Sequence, residues 1–370
     1  MMGIPVLSFF TGGGFLDIGF EEAGFDIIWT NEYNNVFADM YEFGVTAWRQ
    51  SKNSHLGPAV VSNRESIESL SQSNVMRQAF GISDQPHFGI IGGPPCPDFS
   101  LGGKHGGGKG KNGRLSQVYI DLICSLGPDF FIMENVPGLS RCRKHRLFLE
   151  SLIKQLSLCP RKYRTTVRLL NALEFGVPQN RERLFLIGVS TDIAEGILGR
   201  NTGFGEDWFP WPKAIYPRVK ELPWPTTSPF GTVPDPALDT PLELSVYPLL
   251  TSTPSPIELP NGQDVFNAYS GKFWEIAEGD DSHKSFKRLH RYRYSPTAWY
   301  GNNEVHLHPW EPRRLSVREA MRIQSIPDTY ILPAACPLSA KFRFVGNGVP
   351  CRLAETIATA IARFLRGELE

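Results

Sequence analysis

Neither sign of charge is in excess: 38 Lys plus Arg balance 38 Asp plus Glu, for a formal net charge of +0. A neutral chain neither supports nor excludes a polyanionic partner, so any such surface must come from local patches. Cysteine is scarce, and its six positions (Cys96, Cys124, Cys142, Cys159, Cys336 and Cys351) show no C-x-x-C spacing. That argues against a zinc site and, with no secretory signal, against a disulfide framework. A reducing, intracellular setting is the simpler inference. No basic residue precedes the apolar N-terminal patch and no cleavage pattern follows it. No apolar run is long enough to span a bilayer, so a soluble protein is expected. Internal repeats and low-complexity tails are also missing. The 370 residues suffice for two domains with a sizeable core.

What is present begins with an apolar run, Pro5 to Phe10, followed by Thr11-Gly12-Gly13-Gly14. Leu16, Ile18, Gly19, Phe20 and Ala23 then give a helical rhythm that closes at Gly24. A second strand, Phe25 to Thr30, ends in Asn31-Glu32-Tyr33. Strand, glycine turn, helix and strand together make the nucleotide-binding half of a doubly wound sheet. Glycines let backbone amides approach a ligand, and the helix N-terminus favours a carboxylate there. Glu32 is placed to accept from ribose hydroxyls, and Tyr33 to stack on a base. An ordinary tight turn uses the same glycines; the acid at the next strand tip favours the ligand reading. Residues 34–86 read as helix, loop and helix, with a third strand, Ala59 to Ser62, leading to Ser66-Ile67.

A short apolar run, Phe88 to Ile91, leads into Gly92-Gly93-Pro94-Pro95-Cys96-Pro97-Asp98-Phe99-Ser100. The rigid turn presents Cys96 at a strand's carboxyl end, where ligands sit in open α/β sheets. An isolated cysteine is more often a small core hydrophobe than a nucleophile, but this one has company. The loop Ser100 to Arg114 is rich in glycine, carries Lys104, His105, Lys109, Lys111 and Arg114, and contains no acid. It reads as a mobile, positive lid that contacts phosphates, with a solvated linker as the bland alternative. Val118 to Ser125 and Arg146 to Leu158 are helical, and the apolar strand Phe130 to Met133 ends in Glu134-Asn135-Val136-Pro137-Gly138. Thr166 to Leu173 and Leu184 to Val189 suggest a hairpin. Between them Gln179, Arg181 and Arg183 alternate, so on an extended segment they point one way. An arginine there is either a plain ion-pair partner or a bidentate grip on an oxygen-rich ligand.

Trp208 to Pro260 is crowded with proline and loses periodicity, which marks a boundary and an irregular region. His283 to Tyr294 interleaves basic and aromatic residues, a mix that suits phosphate plus base contact, or equally a solvated face. Helical order returns at Arg313 to Ser325, with Ser316 as N-cap and Glu319 completing a capping box. Val345-Gly346-Asn347-Gly348-Val349-Pro350 is a second glycine turn before a closing amphipathic helix, Arg352 to Leu365.

Seven blocks, Phe10 to Gly19, Asn31 to Tyr33, Gly92 to Ser100, Glu134 to Val136, Gln179 to Gly188, Arg313 to Asp328 and Gly346 to Pro350, follow one another in an ordered set. In that order and spacing the chain resembles a DNA (cytosine-5) methyltransferase, with only about 190–295 lying outside the blocks. The resemblance implies an α/β fold: a doubly wound, mostly parallel, Rossmann-like sheet with a smaller irregular, β-rich target-recognition domain. The catalytic domain would take 1–190 plus about 336–370, and the small one about 191–335. Cys96 would attack C6 of a cytosine, Glu134 would hold N3 and the exocyclic amine, and Arg183 would hold O2, with Arg181 a further catalytic residue. S-adenosyl-L-methionine, leaving as S-adenosyl-L-homocysteine, would be bound by Glu32 and Tyr33. Phe10, Thr11, Gly12, Gly14, Ser66, Ile67, Pro94, Asn347 and Val349 would line its pocket. Ser100, Lys104, Lys109, Lys111 and Arg114 of the lid, and Lys287, Arg288, Arg291 and Arg293, would contact double-stranded DNA.

The resemblance further implies a monomer without metal or membrane, cytoplasmic and DNA-associated, bacterial in type, with room for a cognate restriction endonuclease. Ser8, Phe15, Ser66 and the pair Pro97-Asp98 depart from the family's usual residues. Two rival functions stay open at this point: an RNA methyltransferase of the transfer-RNA type, and a catalytically silent DNA-binding regulator. The long divergent stretch before Arg313 favours DNA over RNA, and the intact Cys96, Glu134 and Arg183 favour an enzyme over a silent regulator.

Overall fold

The computed structural model describes residues 3–81, 87–95, 111–199, 208–283, 285–298, 300 and 304–369, with only the backbone of Lys111 and Asn112. Six strands, β1 (Ile4–Phe9), β2 (Phe25–Asn31), β3 (Gly89–Gly92), β4 (Phe130–Asn135), β5 (Tyr163–Asn171) and β6 (Glu182–Ser190), form one sheet in the order β2-β1-β3-β4-β6-β5. The first four run parallel, and β6 returns antiparallel to both β4 and β5. The sheet is therefore mixed, and β5 and β6 form the hairpin read from sequence. Because β2 and β3 flank β1 on opposite sides, the chain reverses its direction of travel there. That topology opens a crevice at the carboxyl ends of β1 and β3.

Helices α1 (Phe15–Glu22), α2 (Asn35–Ser51), α3 (Gln72–Phe80), α4 (Lys111–Leu126), α5 (Gly138–Arg141), α6 (Arg143–Leu158) and α7 (Thr191–Leu198) accompany the strands. Alternation along the strands sorts their side chains between two layers. Val6, Ile91, Phe130 and Ile132 join one core, and Leu7, Ile90, Phe131 and Met133 the other. All eight are buried, and each such side chain contributes about 1.5–3 kcal/mol.

The expected third strand, Ala59 to Ser62, does not form. Thr30 Oγ1 instead donates to the Val60 carbonyl at 2.9 Å and accepts from the Ser62 amide at 3.1 Å. A side chain thus takes the place of ladder bonds, and only a single bridge, Asn31 to Asn63, remains.

The later part of the chain carries α8 (Tyr247–Thr251), α9 (Lys272–Glu275), α10 (Val317–Ile323), α11 (Leu338–Asn347) and α12 (Cys351–Leu365). The expectation of a β-rich second region is corrected: between 208 and 337 the described residues hold isolated bridges and short helical turns but no strand. Proline is the physical reason, since it removes amide donors a ladder needs. Ser316 caps α10, and its amide in turn donates to Glu319 Oε2 at 2.7 Å, as the capping box predicts. A third core joins Phe15, Ile18, Tyr41 and Val45 to Val246, Leu289, Tyr330 and Phe342, so early and late segments share buried surface. No helix among the described residues is long and apolar enough to cross a membrane.

Candidate active site

A cavity of about 1050 Å³ occupies the crevice. Its first wall is the turn after β1. Gly14 has φ +65°, and a Cβ there would lie 2.6 Å from the Tyr41 ring and 2.9 Å from Val45. Only glycine therefore lets the turn sit this close to α2. The Gly12 amide donates to Glu32 Oε2 at 3.0 Å, and the Asn34 amide to Oε1 at 2.8 Å. Glu32 thus ties the end of β2 to the turn while facing the cavity. Burial pushes its carboxyl above the ordinary glutamate range, against the pull of those two amides. Thr11 lies in the same wall with a buried hydroxyl that has no hydrogen-bond partner among the described residues. An acid able to accept from hydroxyls and an orphaned hydroxyl fit a ribose-bearing ligand.

Phe10, Gly12, Pro94, Asn347 and Val349 also line the cavity. Gly14, Tyr33, Ser66 and Ile67 are not part of its wall: Gly14 packs against α2, Tyr33 is exposed, Ser66 caps a helical turn, and Ile67 is buried among apolar side chains. Phe15 fills the departure from the family turn. Its ring packs edge-on against Tyr330 and Phe344, at centroid distances of 5.4 and 5.8 Å.

The opposite wall is Glu134, at the tip of β4, and Arg183, at the start of β6, joined by the register that pairs these strands. Arg183 Nε meets Glu134 Oε1 at 2.8 Å. Gly93 makes room for the acid, since a Cβ there would lie 2.9 Å from Glu134 Oε2. Burial drives the Glu134 carboxyl upward, and Arg183 and then Arg181 oppose it. The pair therefore sets a carboxyl that holds its proton more tightly than an ordinary glutamate beside a fixed cation. Cys96 falls outside the described residues, as do Ser100, Lys104 and Lys109. The described turn Gly93-Pro94-Pro95, which leads to Cys96, enters the cavity wall beside Glu134.

Arg181 differs from the sequence expectation. Its guanidinium is fully buried and donates to the carbonyls of Ala298 (3.2 Å), Gly346 (2.6 Å) and Gly348 (2.8 Å). With its terminal nitrogens so engaged it holds the second glycine turn in place, and we assign it a positioning role in place of a catalytic one.

The basic cluster at 287–293 is likewise corrected. Arg288 is fully buried and donates to the carbonyls of Ile276, Phe273, His308 and Glu311. Arg291 is buried in a two-pronged pair with Glu278, and Arg293 pairs with Asp281 at 3.0 Å. In a region poor in regular ladders, arginines satisfy stray carbonyls, so the charges of Arg288 and Arg291 face inward while Arg293 stays part-exposed. Lys287 is half-buried. Arg114 is exposed and bridges to Glu68 at 2.9 Å, and for Lys111 only its place at the start of α4 is described.

Sequence reading missed Asp17. It is buried at the cavity wall and accepts from Ser8 Oγ at 2.7 Å and from the Tyr41 hydroxyl at 2.9 Å. An acid in the first turn of a helix reads as an ordinary dipole partner, and nothing in its spacing signals burial. Burial pushes its pKa up to about 7, against the two hydroxyl bonds. The folded state holds the proton more tightly, so this group's stabilisation is full below pH ~4 and is lost as pH rises to ~7. Asp17→Asn removes that titration. In thermal or denaturant unfolding, the variant is expected to gain about 2 kcal/mol on the parent between pH 5 and pH 7. Parallel stability curves over that range would refute the assignment.

Among the described residues, no group of three or more His, Cys, Asp or Glu is placed to hold a metal ion. Comparison with known proteins gives a consistent result. The family model for C-5 cytosine-specific DNA methylases matches residues 4–363. The chain is 42% identical over 379 residues to the Type II methyltransferase M.NmeDI of Neisseria meningitidis serogroup C, covering 99% of this chain and 85% of that protein. It is 29% identical to the Type II methyltransferase M.MthTI of Methanothermobacter thermautotrophicus over the full length of both. The crystal structure of the S. pombe Dnmt2 methyltransferase superposes with a TM-score of 0.57 at 13% identity, covering 98% of each chain, a likeness of fold alone.

Proposed function

This chain belongs to the C-5 cytosine-specific DNA methylases, and we propose that the cavity between β1, β3 and β4 is where it methylates C5 of cytosine in duplex DNA. The observation that carries the placement is the Glu134–Arg183 pair, buried in the same wall system as the Gly12–Glu32 turn. S-adenosyl-L-methionine, when bound, supplies an electrophilic methyl group. Glu32 would accept from its ribose hydroxyls, and the Thr11 hydroxyl would gain the partner it lacks.

C5 of cytosine is a poor nucleophile in an aromatic ring. Addition of the Cys96 thiolate at C6 breaks the aromaticity and gives C5 enamine character. Charge from that attack flows to N3, where protonated Glu134 donates, while Arg183 steadies O2. After C5 has gained the methyl group, loss of its proton expels Cys96 and restores the ring. The target base must leave the duplex for this, at a few kcal/mol. The region of about 191–335 would select the DNA sequence, and a restriction endonuclease of the same specificity would accompany a monomeric enzyme.

Bisulfite sequencing of DNA from cells expressing the chain should reveal 5-methylcytosine at one short sequence. A duplex carrying 5-fluorocytosine there, which cannot release its C5 substituent as a proton, should form a covalent complex stable to denaturation only when the methyl donor is present. Methylation confined to transfer RNA, or no adduct on the methylated sequence, would overturn the reading.

A further inference from the structure

With the arginines at 288 and 291 turned inward, a chain of zero net charge still needs a surface for the phosphates of its substrate. The cavity mouth offers one. Arg141, at the end of α5, lines the cavity together with Cys142. Immediately beyond, Arg143, Lys144 and Arg146 open α6, all exposed and none in an ion pair among the described residues. Arg143 and Arg146 stand three apart and share a helical face, while His145 between them turns inward. The arrangement is electrostatically awkward. The first turn of α6 holds no acid and its N-cap makes no side-chain bond, so three cations face the positive end of the helix dipole. Folding alone gives no reason to gather them there, whereas a polyanion does.

Arg141 is already engaged by an acid. Its Nη1 lies 2.9 Å from Glu182 Oε2, and Lys220 approaches the other oxygen of Glu182 at 3.7 Å. Glu182 is also in the cavity wall, and its carboxylate sits between two cations as a phosphate oxygen would.

We propose that Arg141, Arg143, Lys144 and Arg146 form the track that holds the DNA phosphates flanking the extruded cytosine, with Glu182 a competing anion that organises the track and tempers its affinity. This rests on the cavity being the site of cytosine methylation: a base drawn into it leaves its own flanking phosphates at the mouth. Such contacts position the strand without reading its sequence.

The test uses the full chain and a duplex containing the methylated sequence, with affinity measured by fluorescence anisotropy across a salt series. Replacing Arg143, Lys144 and Arg146 together by glutamine should weaken binding about tenfold or more and flatten the log–log salt slope by about 2–3, near 0.9 for each phosphate no longer neutralised. The affinity for S-adenosyl-L-homocysteine should stay at the parent value, which reports that the variant is folded. Glu182→Gln should tighten duplex binding. Unchanged duplex affinity and slope in the triple variant, with cofactor-product binding intact, would overturn the track while leaving the catalytic reading standing. A parent chain that neither binds the duplex nor traps 5-fluorocytosine would bring down both. Should the triple variant lose cofactor-product binding, the three single variants decide, each expected to lower the slope by about 1.

Discussion

Glu134→Gln is expected to slow methyl transfer to duplex DNA about 100- to 10,000-fold, the range set by loss of a positioned acid, and Cys96→Ala to abolish it. Glutamine keeps the length of the side chain and can still donate to N3 and accept from the exocyclic amine. It cannot pass a proton as charge develops. Single-turnover kinetics should therefore show the loss in the chemical step, with duplex and cofactor affinities close to those of the parent.

The pH profile supplies a second readout. Burial raises the Glu134 pKa and Arg183 restrains the rise, so the acid form is depleted as pH increases and the rate should fall on the alkaline side. Glutamine has no such limb. A Glu134→Gln enzyme that retains near-parental turnover, or keeps the parent's alkaline decline, would remove Glu134 from the chemistry.

Arg181→Ala is expected to destabilise the protein by about 3–5 kcal/mol, because it strips donors from three carbonyls in a buried setting. Those carbonyls belong to Ala298 and to the Gly346-Asn347-Gly348 turn, which lines the cavity. Lysine offers a single charged point in place of the planar fork. Arg181→Lys should therefore fold with a lowered unfolding midpoint and a weakened affinity for S-adenosyl-L-homocysteine. Calorimetry of cofactor-product binding beside denaturant unfolding decides between positioning and direct contact. If affinity and stability both hold while turnover alone collapses, Arg181 touches the reacting base after all.

The parts of this molecule legible in its sequence are those where one local rule acts alone. Continuous apolar runs marked the strands found at 4–9, 25–31 and 130–135, and the capping pair Ser316 and Glu319 marked the start of α10. The site residues at strand tips, Glu32 and Glu134, were legible because a polar group following a fully apolar strand is displayed at the sheet's edge. Where several segments share one polar group, local rules failed. Thr30 diverts the segment at 59–62 from the sheet, and Arg288 serves four carbonyls on two other segments. A run of arginines looks the same in sequence whether it faces water or the interior. Asp17 was hidden for a related reason: its partners come from Ser8 and Tyr41, on different elements.

The hydrogen bond from the Tyr330 hydroxyl to the Gly13 carbonyl, 2.9 Å long, spans 317 positions of the chain. On a ribosome adding about 5–20 residues per second, the emerging glycine turn must wait roughly 15 to 60 s for that hydroxyl to arrive. Tyr330 also braces the Phe15 ring, so the turn stays without either support until that residue has been synthesised. A shorter nascent segment would carry the glycine turn unbraced, and its final geometry would wait on a contact made across almost the whole length of the chain.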